Sequence, residues 1–167
     1  MYDFKIEAAD KETLYRDLIE AADALTDGEP DPIANMANLA ALIWESVPDL
    51  NWAGFYRNVG GDPSTGSGQE LVLGPFQGRP ACIRIPFGTG VCGAAAQTRQ
   101  VQRVEDVHAF PGHIACDSAS NSEIVVPLIR DGELLGVLDI DSPKQARFDA
   151  EDEAGVVRLA EIMVRAI

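Results

Sequence analysis

The stretch from residue 122 to 142 leaves this chain the least freedom. Two apolar-rich runs, 124–130 and 134–142, flank Asp131-Gly132, a pair suited to positive φ at both turn positions, and so predict a tight antiparallel hairpin. In the second run Asp139 and Asp141 alternate with Leu138 and Ile140, which puts both carboxylates on one face of the strand. For a surface strand this is ordinary polar-out alternation. Glu123, just before the first run, adds a third acid. If Arg130 faces Glu133 across a two-residue turn, however, counting back sets Glu123 opposite Ile140, on the other side from the two aspartates. A bulge, a three-residue turn, or a Glu123 that precedes the strand would each reunite the acids. The polar residues 118–122 favour the last, with ordered pairing starting at Ile124.

The remaining elements surround this hairpin. Asp10 can cap a helix carrying Leu14, Leu18, Ala22 and Leu25, which ends near Gly28. A second helix starts near Asp31-Pro32, carries Met36, Leu39, Ala40, Ile43 and Val47, and stops at Pro48. Strands are predicted at 50–57, 70–76, 81–86 and 101–104, with a short helix over 90–97 and a closing helix from a cap at Asp149 to about Ala166. Residues 58–69 are rich in Gly and Ser and read as a flexible hairpin loop. Residues 105–121 form the one long irregular loop, the kind of segment in which function concentrates. Two helices, a set of hairpin-connected strands and a closing helix make an α+β fold. A central, mostly antiparallel sheet of about six strands is packed with the N-terminal and C-terminal helices, as one domain over 1–167.

Composition narrows the function classes. With 13 basic against 27 acidic residues the net charge is -14, and no stripe of Lys or Arg exists to neutralise phosphates, so nucleic acid and anionic membrane are excluded as partners. The acidic first 24 residues do not resemble a secretory or transit signal, no apolar run approaches bilayer length, and a cytoplasmic location is expected. Three cysteines, Cys82, Cys92 and Cys116, are an odd count without a secretion signal, so they are either buried core residues or chemistry.

Three constellations compete for that chemistry. Gly88-Thr89-Gly90-Val91-Cys92-Gly93 fits a dinucleotide fingerprint, but no βαβ unit accompanies it, and a Gly-rich strand-to-helix turn is the simpler reading. Cys82, Cys92, Cys116 and His113 would suffice for a zinc shell, yet no C-x2-C pair seeds it. Cys116 stands in the irregular loop among His113, Asp117 and Ser118, a polar setting that suits a reactive thiol, and His113 could lower its pKa or be an ordinary exposed histidine. Glu123, Asp139 and Asp141 gathered beside such a thiol would make a site for a cationic group such as an amino acid's ammonium. Their mutual repulsion would leave one of them a proton to donate.

Asn51-Trp52-Ala53-Gly54-Phe55-Tyr56, Leu73 to Gly78 (LGPFQG), Ala81-Cys82, Gly88 to Gly93 (GTGVCG), 107–123 (VHAFPGHIACDSASNSE) and Gly136 to Ser142 (GVLDIDS) together resemble the free methionine-R-sulfoxide reductases, a family with the GAF fold. The resemblance runs from about Leu50 to the closing helix. It implies thiol-dependent reduction of free methionine-(R)-sulfoxide, with Cys116 attacking and becoming a sulfenic acid, Cys82 resolving it as a disulfide, and Cys92 assisting or relaying that disulfide. A thioredoxin-type reductant would close the cycle, without metal or organic cofactor. It also implies that Glu123, Asp139 and Asp141 hold the ammonium and polarise S=O, while Trp52 forms the wall for the S-methyl group. GAF domains often pair through terminal helices, so a homodimer is compatible with the sequence. The rival reading is a non-catalytic GAF module that senses a small ligand. The loop 58–69 is longer than the family leads one to expect and joins strands on either side of Trp52.

Overall fold

The computed structural model describes residues 6, 9–60, 68–112 and 118–167. Helices α1 (Lys11–Thr26) and α2 (Pro32–Ser46) open the fold, capped by the Asp10 and Asp31 carboxylates, which accept backbone N–H bonds from the first turns. Strands β1 (Trp52–Asn58), β2 (Glu70–Gly78) and β3 (Arg84–Pro86) follow, then α3 (Gly90–Thr98) and β4 (Gln102–Val104). The hairpin β5 (Ser122–Arg130) and β6 (Glu133–Ser142) leads to α4 (Ala150–Ala166), which begins with a capping box between Asp149 and Asp152. The six strands form one sheet in the order β3-β2-β1-β6-β5-β4, and every pairing is antiparallel. The α+β expectation therefore holds.

Alternation divides the sheet into two faces. Ala53, Phe55, Ile124, Val126, Leu128, Leu138 and Ile140 point to the layer formed by α1, α2 and α4, where Leu18, Leu39, Ile43, Leu159 and Met163 complete a dry core. Trp52, Tyr56, Val125 and Val137 point the other way, toward α3 and its Val91, Cys92, Ala95 and Ala96. This second face carries the acids.

Asp131 and Gly132, at φ 52° and 80°, make the expected two-residue turn, and Arg130 pairs with Glu133. The expected start of pairing at Ile124 is corrected: β5 begins at Ser122, so Glu123 lies inside the strand. Its place among the other acids comes from a bulge. Ile129 pairs with Leu134 but Leu128 pairs with Gly136, so Leu135 is an extra residue that shifts the register by one. Glu123 thereby faces Asp141, Val125 faces Asp139, and across β1 Trp52 faces Asp141.

Other boundaries differ more modestly. The strand expected at 81–86 is confined to Arg84–Pro86 because the edge segment leaves the ladder, though the Ile83 carbonyl still accepts the Leu73 N–H at 3.0 Å. Among the described residues, the loop 105–121 contains a 3-10 turn at Val107–Ala109, held by the Asp106 side chain accepting from the His108 N–H. The glycines at 88–93 serve the turn into α3. Gly88 and Gly90 have φ of 80° and 63°, and a Cβ on Gly93 would stand 2.5 Å from the Pro86 carbonyl oxygen. In a wholly antiparallel sheet the dinucleotide reading of this motif has no structural basis.

Candidate active site

The bulge and the sheet's second face together build a small concave pocket, partly open to solvent. Strand β1 supplies Trp52 and Tyr56, β6 supplies Asp139 and Asp141, and β5 supplies Glu123. The first turn of α3 contributes Gly90, Val91 and Cys92, and Ser120 stands at the entrance to β5. The indole of Trp52 is held in a stack, 5.3 Å from Phe76 and 5.7 Å from Tyr56 between ring centroids. Its Nε1, a buried donor, finds no hydrogen-bond partner among the described residues.

The four sequence-predicted residues Trp52, Glu123, Asp139 and Asp141 thus line one cavity, and Cys92 joins them. Cys92 is buried, with its thiol 3.8 Å from Glu123 Oε1. The sulfur and one carboxylate oxygen each of Glu123 and Asp139 lie within 4.8 Å of one another. Asp141 accepts from Ser120 Oγ at 3.2 Å, and Ser120 in turn accepts from Asn51 Nδ2 at 2.9 Å. Cys82 is partly buried, packs beside the same apolar cluster and is disulfide-bonded, whereas Cys92 is a free thiol. A disulfide-bonded Cys82 does not fit the zinc shell weighed from sequence. Cys116 and His113 lie outside the described residues.

Burial dominates the electrostatics. Loss of solvent, followed by repulsion from Asp139 and Asp141, pushes the Glu123 carboxyl well above its ordinary range. Burial likewise lifts Asp139 to about 7, partly offset by hydrogen bonds from Cys92, Glu123 and the backbone of Ile140. The two acids therefore keep a proton between them at neutral pH. Cys92 is raised well above the usual thiol range, first by burial and then by Asp139 and Glu123, so it is a protonated thiol in this state. Among the described residues no Lys or Arg pairs with Glu123 or Asp139. The cavity presents carboxylates, a proton and aromatic walls, and it lacks a cation among the described residues.

Tyr56 and Ser120 were not foreseen as lining residues. Tyr56 was legible, because Trp52, Gly54 and Tyr56 share one face of β1 by simple alternation. Ser120 carried no signal, since its place depends on the path of an irregular loop.

A curled antiparallel sheet with three helices on one face and a pocket beneath α3 on the other is the architecture of a small-molecule-binding domain, and the sequence model of the GAF domain matches residues 32–167. The free methionine-R-sulfoxide reductase of Escherichia coli is 52% identical over 149 residues, covering 89% of this chain and 86% of that relative. The free methionine-R-sulfoxide reductase of Saccharomyces cerevisiae is 44% identical over 158 residues, 92% of this chain and 85% of its own. Among solved structures, the free methionine-R-sulfoxide reductase of Neisseria meningitidis in complex with its substrate superposes with a TM-score of 0.90 at 45% identity, covering 99% of this chain and 95% of that one. The chain belongs to the free methionine-R-sulfoxide reductase family of GAF-domain proteins.

Proposed function

We propose that this protein reduces free methionine-(R)-sulfoxide to methionine with its own thiols, and that a thioredoxin-type dithiol restores them. The observation that carries the reading is the pair of buried acids, Glu123 and Asp139, on a cavity wall that offers them no cation among the described residues. Burying carboxylates without a counter-charge is costly. The ammonium of a free amino acid supplies that charge, and Asp141 on the same face adds a third acceptor.

The rest of the cavity suits the remainder of such a ligand. Thr89 caps α3 without a side-chain hydrogen bond, and the first turn of α3 lines the cavity, where a helix N-terminus favours a negative group such as the substrate's carboxylate; the Gly90 N–H itself is taken up by the Gly112 carbonyl. The stacked Trp52 offers an aromatic wall to the S-methyl group. A methionine sulfoxide within a polypeptide has neither a free ammonium nor a free carboxylate, which explains selection of the free amino acid. The preference for the R form rests on family membership.

In the chemical step the Cys116 thiolate attacks the sulfoxide sulfur while the proton shared by Glu123 and Asp139 moves to the sulfoxide oxygen. The substrate S–O bond breaks and that hydroxyl passes to the Cys116 sulfur, so two electrons leave the thiolate, giving the thioether of methionine and a sulfenic acid on Cys116. The Cys82 thiol then attacks that sulfenic acid, forming a disulfide and releasing water. A dithiol reductant reopens the disulfide by exchange and is itself oxidised. That Cys82 is disulfide-bonded while Cys92 is free and buried favours Cys82 as the resolving residue. Pairing of two copies through terminal helices is part of the same proposal and is tested by sedimentation.

The test is to incubate the protein with dithiothreitol and racemic free methionine sulfoxide, resolving the diastereomers by chromatography. Loss of the R form alone, abolished in Cys116→Ser, is expected. Consumption of neither form by the fully reduced protein would overturn the enzymatic reading in favour of a ligand-sensing domain.

A further inference from the structure

The cluster at the base of the cavity has a composition that ammonium recognition does not require. A carboxylate cage suffices for an ammonium, yet here the free thiol of Cys92 stands beside Glu123 and Asp139, and the three donor atoms lie within 4.8 Å of one another. We infer that Cys92, Glu123 and Asp139 bind a borderline-soft divalent cation, Zn2+, at the position the substrate's ammonium takes, so that zinc holds the enzyme in an inhibited state. The competition with substrate rests on the reading given under Proposed function; the metal site does not.

Geometry supports the ion. Zinc bonds of about 2.3 Å to sulfur and 2.0–2.2 Å to oxygen place tetrahedral donors about 3.4–3.6 Å apart. The Cys92–Glu123 separation of 3.8 Å is already close to that, and the widest separation closes by side-chain rotation. Asp139 is 5% exposed and lines the cavity with an Oδ1 that has no hydrogen-bond partner among the described residues, a lone pair left for a ligand. Three protein donors facing a cavity leave the fourth position to water, the pattern of an open zinc site. The ligand set also sets selectivity. One thiolate with two carboxylates favours zinc over Mg2+ or Ca2+, which prefer all-oxygen shells. Binding expels the thiol proton and the proton shared by the acids into solvent, so affinity rises with pH.

The test uses the full chain carrying Cys82→Ser and Cys116→Ser, in which Cys92 is the only thiol, with Co2+ as the spectroscopic probe and Zn2+ as the displacing ion. A thiolate-to-cobalt charge-transfer band that saturates at one equivalent and is bleached by Zn2+ is expected. Cys92→Ser in the same background should abolish the band, and Asp139→Asn should weaken zinc binding at least ~10-fold, the smallest loss expected for a ligand given that outer-shell partners cost 10–100-fold. Circular dichroism checks that both variants fold. A missing band, or zinc binding unchanged by both substitutions, overturns the site. In the same cuvette free methionine sulfoxide should bleach the band. A band that sulfoxide leaves intact overturns the competition and places the ammonium elsewhere, while the metal site stands.

Discussion

Two buried acidic positions in this molecule contrast sharply. In the helical layer Asp152 is fully buried and complete: Lys11 and Arg147 approach it at 2.5 and 3.1 Å, and the Tyr15 hydroxyl donates at 2.9 Å. Across the sheet, Glu123 and Asp139 are almost as deeply buried, yet no Lys or Arg pairs with them among the described residues. The protein thus knows how to neutralise a buried carboxylate and does so where the purpose is to tie α1 to α4. Where it does not, our proposal assigns the missing charge to a ligand. Alternation along β5 and β6 lets a single hairpin serve both needs, with Ile124 and Ile140 in the dry core and Glu123, Asp139 and Asp141 on the cavity wall.

The largest break is expected on the helical side. Asp152→Ala strips the ion pairs from Lys11 and Arg147 and should cost about 3–5 kcal/mol in urea denaturation. Because it lies on the helical side, KM for free methionine sulfoxide should stay within about twofold.

The reverse outcome is expected on the cavity side. Asp139 keeps its proton up to about 7 in the fold, whereas the unfolded chain gives it up near the ordinary 3.8. The native state therefore binds the additional proton between those values, and the stability it provides is fully present below about pH 4 and is lost as pH rises through about 7. Asp139→Asn removes that loss. Each tenfold difference in proton affinity between folded and unfolded chain is worth about 1.36 kcal/mol. At pH 8 the ligand-free variant should therefore be more stable than wild type by about 2–4 kcal/mol, with the difference vanishing near pH 4. The smallest effect concerns the product. Free methionine at ten times its Kd should stabilise the wild type by about 1.4 kcal/mol, a rise in Tm of roughly 3–6 °C, and should leave Asp139→Asn unmoved.

Much of the fold was legible because local chemistry determined it. Asp10, Asp31 and Asp149 announce three helices by capping, and Asp131-Gly132 announces the hairpin turn. The grouping of the acids was legible only as a question, since it depends on a bulge that no turn residue marks. A clue did exist in Leu134-Leu135-Gly136, where two adjacent leucines and a residue without a side chain interrupt the period-2 pattern of β6. The contribution of Cys92 to the cavity was not legible, because α3 must first fold across the sheet before its first turn reaches Glu123, 31 residues away in sequence.

Recognition of a free ammonium by the acid-bearing face is the central claim. The direct measurement is kcat/KM for free methionine-(R)-sulfoxide against its N-acetyl derivative, which keeps the sulfoxide, methyl and carboxylate but loses the charge. Removing one partner of a buried charge pair costs about 3–5 kcal/mol, so the N-acetyl substrate should be poorer by roughly 10²–10⁴-fold. Equal turnover of the two would contradict the assignment of Glu123, Asp139 and Asp141 to the ammonium.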